Sequence, residues 1–186
     1  MRLHMNSKII LLIFFGMTAH LFAEELPRVR DIMSIEPTHH LRLADGTLEY
    51  GYLTKSRGEF LDVNWTKNGG FIGANVRVEG WEKNGKLVLK KASIGPNAHV
   101  WGTVTLEGKV KISDNAQVYG NARVSGLLST PARVYGNAFV YGNAHVHGAR
   151  IYDRAQVFGN ARISWEARVF GKALVAENGD ISEFGV

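Results

Sequence analysis

Residues 131–148 read PARVYG, NAFVYG and NAHVHG, three six-residue units in succession, each with Ala second, Val fourth and Gly last. An Ala-x-Val segment puts both apolar side chains on one side of a short strand and x on the other. The same unit recurs upstream as NAHVWG (97–102), NAQVYG (115–120) and NARVSG (121–126). Downstream it recurs as RAQVFG (154–159), NARISW (160–165), EARVFG (166–171) and KALVAE (172–177). Anchored on the aliphatic position, the series runs Ile94, Val100, Leu106; Ile112, Val118, Val124; Val134, Val140, Val146; Ile151, Val157, Ile163; Val169, Val175, Ile181. All fifteen anchors are aliphatic, and two residues before them stand twelve alanines, Val104, Val110 and Gly179. So short and regular a period marks stacked repeats, each of which buries its apolar side only against its neighbours.

From Ala92 onward the chain resembles the hexapeptide-repeat, left-handed parallel β-helix family. The family's unit is aliphatic, small or acidic, two free positions, small, one free, and Ile94-Gly95-Pro96-Asn97-Ala98-His99 fits it. The resemblance implies three hexads per triangular coil, and so five coils from the fifteen anchors. With coils about 4.8 Å apart the prism would stand about 24 Å tall. Left-handed crossovers oppose the usual right-handed rule, so handedness is taken from the resemblance alone.

Sorting the hexads by threes predicts a surface. The step from Val124 to Val134 is ten residues, which makes Leu127-Leu128-Ser129-Thr130 an insertion, and the step from Val146 to Ile151 is five, a deletion after Gly148. Trp165 stands where Gly is expected. All three irregularities fall at the third corner, and insertions gathered on one edge of a repeat array often mark its binding edge.

After the anchors, Trp101, Tyr119, Tyr141 and Phe158 should climb the second corner, and Tyr135, Tyr152 and Phe170 the first. Before the anchors, the first face carries Lys111, Arg133, Arg150 and Arg168. Each of these arginines shares a strand side with the aromatic residue two positions on. Stacked like charges repel, and a bound anion would relieve them. Arginine forks suit carboxylate and phosphate while rings suit sugar faces, so the expected ligand is an anionic glycan or a lipid headgroup.

Residues 24–91 read differently. HLRLA, TLEYGYL, EFLDVNW, FIGANVRVEGW and KLVLKKA are strand-like, and Asp45-Gly46, Asn68-Gly69-Gly70 and Asn84-Gly85 lie between them as turn signals. These predict a small antiparallel β unit, marginal alone, that caps the first coil. His39-His40 is an isolated pair rather than a metal site.

The 186 residues (20.6 kDa) are 45% hydrophobic and hold 22 basic against 17 acidic residues, a surplus too small and scattered to make nucleic acid the expected partner. Cysteine is absent, which excludes disulfides, thiolate zinc sites and a Cys nucleophile. Residues 1–23 run from a basic start, MRLHMNSK, through apolar IILLIFFGM to TAHLFA. That is the pattern of a secretory signal peptide cleaved after Ala23, although Leu21 occupies a position that prefers a small residue. The expected location is the periplasm, the cell surface or the outside of the cell.

The resulting expectation is an exported, non-catalytic structural or ligand-binding protein, with no cofactor or metal. The resemblance implies an alternative. Many relatives are acyltransferases whose catalytic His lies beside a loop leaving the prism, in a cleft between the protomers of a trimer. His145 and His147 stand near the 127–130 loop and are the candidates here, acting as general base. The γ-class carbonic anhydrases share the fold and hold a metal through histidines, and His145-Val146-His147 places two imidazoles on one strand side. Bactofilin-like polymer-forming proteins imply end-to-end assembly as a further possibility beside the trimer.

Overall fold

The computed structural model describes residues 25–55, 70–83 and 86–182. The signal-peptide reading of residues 1–23, the stretch EFLDVNW and the turn residues Asn68, Gly69, Asn84 and Gly85 lie outside the described residues.

Among the described residues the chain is all-β apart from one helical turn, α1 (Val29–Ile32). Four antiparallel or edge elements come first: β1 (His39–Arg42), β2 (Leu48–Lys55), and, after a short segment, β3 (Phe71–Gly73) and β4 (Arg77–Val78). The strands β5 (Gly80–Lys83) and β6 (Lys86–Leu89) follow. As the Asp45-Gly46 signal predicts, β1 and β2 form an antiparallel hairpin. Asp45 closes it, its carboxylate accepting from the amide and hydroxyl of Thr47 at 2.9 and 2.6 Å, and these bonds hold the Asp45 carboxyl below its ordinary range. The strands β5 and β6 pair antiparallel with Lys83 opposite Lys86, and β6 runs parallel to β2.

Then come five coils of three strands. The first is β7 (Ala92–Ile94), β8 (His99–Val100) and β9 (Thr105–Gly108), and the second β10 (Val110–Ile112), β11 (Gln117–Val118) and β12 (Arg123–Gly126). The third is β13 (Ala132–Val134), β14 (Phe139–Val140) and β15 (His145–His147), and the fourth β16 (Arg150–Ile151), β17 (Gln156–Val157) and β18 (Arg162–Ser164). The fifth is β19 (Arg168–Val169), β20 (Leu174–Val175) and β21 (Asp180–Ser182).

Corresponding strands pair in parallel to form three faces: β7-β10-β13-β16-β19, β8-β11-β14-β17-β20 and β9-β12-β15-β18-β21. Val100, Val118, Val140, Val157 and Val175 are successive register partners. The steps between them are 18, 22, 17 and 18 residues, so the insertion and the deletion are absorbed at the corner and the faces stay aligned.

The core is the predicted double column. The alanines of coils two to four are fully buried, and so are the anchors beside them, while Val175 is 9% exposed where the stack ends. Ala keeps the tube narrow enough for anchors from three sides to meet, and burial of each valine contributes about 1.5–3 kcal/mol. The hexad's asparagine also has a physical reason. Asn121 donates to Asn143 at 3.2 Å and Asn143 to Asn160 at 3.1 Å, so one amide ladder runs up the second corner. The hexad's glycine is demanded by the turn. Gly142 has φ +69°, and a Cβ there would lie 3.0 Å from the nitrogen of Gly159 in the next coil.

The parallel stack reaches further toward the N-terminus than the Ala-x-Val units do. Ile72 is the register partner of Val100 and Val78 of Leu106, so β3 and β4 extend two faces by one strand each. Antiparallel β2 pairs with β3 and so joins the N-terminal sheet to the second face.

Candidate functional site

The predicted basic column exists. Lys111, Arg133, Arg150 and Arg168 are consecutive register partners on the first face, with Ser93 beneath Lys111. Arg150 and Arg168 are exposed and Arg133 and Lys111 half-buried. Among the described residues no carboxylate forms an ion pair with Arg133, Arg150 or Arg168, whereas Arg123 pairs with Glu107 at 2.5 Å and Arg77 with Glu25 at 2.9 Å. Three guanidinium groups therefore stand one above another along the same strand-to-strand direction.

The aromatic edge stands beside this column. Tyr135 and Tyr152 stack with ring centroids 5.0 Å apart and planes 4° from parallel, and Tyr152 and Phe170 at 5.3 Å and 11°. Burial raises the pKa of the Tyr135 phenol, with the neighbouring Tyr152 acting in the same direction and Arg150 against it. This stacking changes what the rings offer. Faces that the sequence reading assigns to sugars are covered by other rings inside the ladder, which leaves edges, phenolic hydroxyls and the outer faces of the end rings, Tyr135 and Phe170. A second ladder, Trp101, Tyr119, Tyr141 and Phe158, is stacked in the same way at 4.5–5.0 Å.

At the third corner a groove of about 900 Å³ opens beneath the inserted loop. His145 and His147 both line it, together with Leu127, Leu128 and Ser129 of the loop, and Lys91, Lys109, Glu107 and Arg123 stand around them. Leu127 and Leu128 are 52% and 78% exposed, so the loop carries an apolar surface out over the groove. Its base is fixed by the Leu127 amide, which donates to the Thr130 carbonyl at 3.1 Å.

The two histidines differ. His145 sits in register between Arg123 and Arg162, and burial first, then these two guanidinium groups, lower its pKa. His147 Nδ1 lies 2.8 Å from Ser125 Oγ, and the edge of Trp165 packs against the His147 ring at 5.6 Å and 74°. Ser125 does not emerge from a search for histidines. The signal that finds it is positional, since Ser125 and His147 each follow the third anchor of successive coils. His99, on the second face, meets Phe71 edge-on, and burial lowers its pKa. Among the described residues no three His, Cys, Asp or Glu side chains gather closely enough to hold a metal ion.

Fold and repeat together define a β-helix repeat protein built on a parallel β-solenoid. A family model described as YdcK Beta solenoid repeat matches residues 116–126 and 132–148. Those segments cover β11 and β12 of the second coil and all three strands of the third, and the gap between them holds the inserted loop. Comparison with curated proteins gives no match.

Proposed function

We propose that this chain is an exported β-solenoid of the left-handed, hexapeptide-repeat kind that binds a linear anionic glycan along its first face. The observation that carries this reading is the in-register column Lys111, Arg133, Arg150 and Arg168, whose arginines have no acidic partner among the described residues. Like charges in adjacent strands destabilise the protein unless a counter-charge is supplied. A polymer of carboxylates or sulfates supplies one charge per rung, and arginine receives each by paired hydrogen bonds. The Tyr135 and Tyr152 hydroxyls are further donors and acceptors at the edge of that track. The linear, rigid spacing favours a glycan chain over a fluid layer of lipid headgroups. The export reading rests on the basic and apolar pattern of residues 1–23, and the handedness on the regularity of the hexads.

Retention on an immobilised polyuronate tests the ligand reading. The wild-type chain should be eluted by salt, and the triple variant Arg133→Ser, Arg150→Ser, Arg168→Ser should flow through. Equal retention of both would refute the reading.

A second reading, acyl transfer at the third corner, is favoured by the groove that His145 and His147 line beneath the inserted loop. Its apolar lip, Leu127 and Leu128, suits an acyl chain. Loss of acyl transfer in His145→Ala or His147→Ala tests it.

A further inference from the structure

The geometry points to a nucleophilic serine at the third corner. Ser125 Oγ lies 2.8 Å from His147 Nδ1, and both side chains line the same groove. We propose that Ser125 and His147 form a catalytic dyad that cleaves a short-chain O-acyl ester. This inference rests on the acyl-transfer reading of the corner and goes beyond it by naming the attacking atom and an ester donor.

Several observations separate this pair from the structural rungs elsewhere on the prism. The side-chain hydrogen-bonded rungs at the second corner are amide to amide or hydroxyl to amide, as in Thr103, Asn121, Asn143 and Asn160, whereas Ser125 and His147 pair a hydroxyl with an imidazole, the combination a proton transfer needs. Ser125 comes just before the four-residue insertion and His147 just before the one-residue deletion, so both sit where the repeat is broken. The loop that follows Ser125 walls the groove, and its last residue lies against the corner, since a Cβ on Gly148 would meet Thr130 at 3.2 Å. In that wall the amides of Leu128 and Ser129 have no hydrogen-bond partner among the described residues. They are the donors in the groove for an oxyanion. Leu127 and Leu128 provide apolar surface for the acyl group, while Lys91 and Arg123 at the rim are paired with Glu79 and Glu107.

The chemistry balances without an external reactant other than water. In the tautomer with the His147 proton on Nε2, Nδ1 takes the proton from Ser125 Oγ as Oγ bonds to the ester carbonyl carbon. The bond from that carbon to the alkoxy oxygen breaks, and the proton on Nδ1 passes to the departing alkoxide. Water then gives a proton to Nδ1 and attacks the acyl carbon. Ser125 Oγ leaves with that proton, and a carboxylic acid is released.

The test treats the full chain with a fluorophosphonate probe and with p-nitrophenyl acetate, followed by peptide mass mapping. The expected result is one phosphonyl adduct on Ser125, and ester turnover lowered about 10²–10⁴-fold in both Ser125→Ala and His147→Gln. Circular dichroism confirms that the variants are folded, and Ser125→Cys should still acquire a covalent acyl group. No adduct on folded chain, an adduct elsewhere, or full turnover by Ser125→Ala would overturn the dyad. Full turnover by Ser125→Ala with loss in His147→Gln would leave the histidine-based acyl-transfer reading standing and remove only the nucleophile.

Discussion

Arg133 and Arg150 are direct register partners in adjoining parallel strands of the first face, and neither forms an ion pair with a carboxylate among the described residues. A folded chain keeps such a pair only if packing elsewhere outweighs the repulsion or something outside the chain relieves it. The first holds here, since the buried alanine and valine columns supply the stability, and the anion proposed above would supply the relief.

Replacing Arg150 by Gln should therefore stabilise the unliganded protein. Relief of like-charge repulsion across a strand pair is worth about 0.2–1 kcal/mol, which for a chain of this size raises Tm by up to about 4 °C. Thermal melts at low and high salt check this, because the gain should shrink as salt screens the column. A lower melting temperature in the variant would speak against unrelieved repulsion.

The stacked rings predict an ordering. Tyr141 has a ring on each side, Tyr119 and Phe158, whereas Phe158 has Tyr141 on one side and Ala176 beyond. Each stacked contact adds about 0.5–1.5 kcal/mol beyond area burial, so Tyr141→Ala should cost more than Phe158→Ala by about that much in urea unfolding. Equal losses would mean the stack contributes little.

How much of this was legible in the sequence depends on what each feature needs. The five coils needed only the anchors, because a strict hexad sorted by threes determines which valines lie above one another. Two more rungs were hidden. Ile72 and Val78 are six apart and join the stack, but Gly70 and Val76 stand in the place of the alanines, so their stretch reads as ordinary antiparallel strand. Ring orientation was also out of reach, since spacing says which aromatics are neighbours and not that their faces cover one another. The Ser125 and His147 pair needs both the coil register and the side-chain rotamers, and the insertion between them obscures even the register in a linear reading.

The glycine column predicts a contrast between two left-handed positions. Gly46 has φ +86° and open space within 4 Å of where a Cβ would stand, whereas a Cβ on Gly142 at φ +69° would meet backbone of the next coil at 3.0 Å. Gly46→Ala should cost about 1–2 kcal/mol for conformation alone, and Gly142→Ala clearly more because the coil spacing must give. Urea midpoints of the two variants measure the difference, and equal costs would contradict the close stacking.

His145 predicts a pH slope. Its folded pKa is lowered by burial and by Arg162 and Arg123, so the unfolded chain binds its proton more readily than the native one. Stability should therefore fall as pH drops through about 6.5, the ordinary histidine value, toward the lower folded value. His99 contributes with the same sign. In His145→Gln the fall between pH 8 and pH 5 should be smaller, as read from urea midpoints, and an unchanged slope would show that His145 does not carry it.

The most direct test of the ligand reading is the affinity of linear oligouronates of increasing length, measured by titration calorimetry at fixed low salt. The account predicts affinity that rises with each added carboxylate until the chain spans Lys111 to Arg168, about 14 Å for three coil steps, and then levels off. Affinity that is absent, or that ignores length and survives replacement of Arg133, Arg150 and Arg168 by Ser, would contradict it.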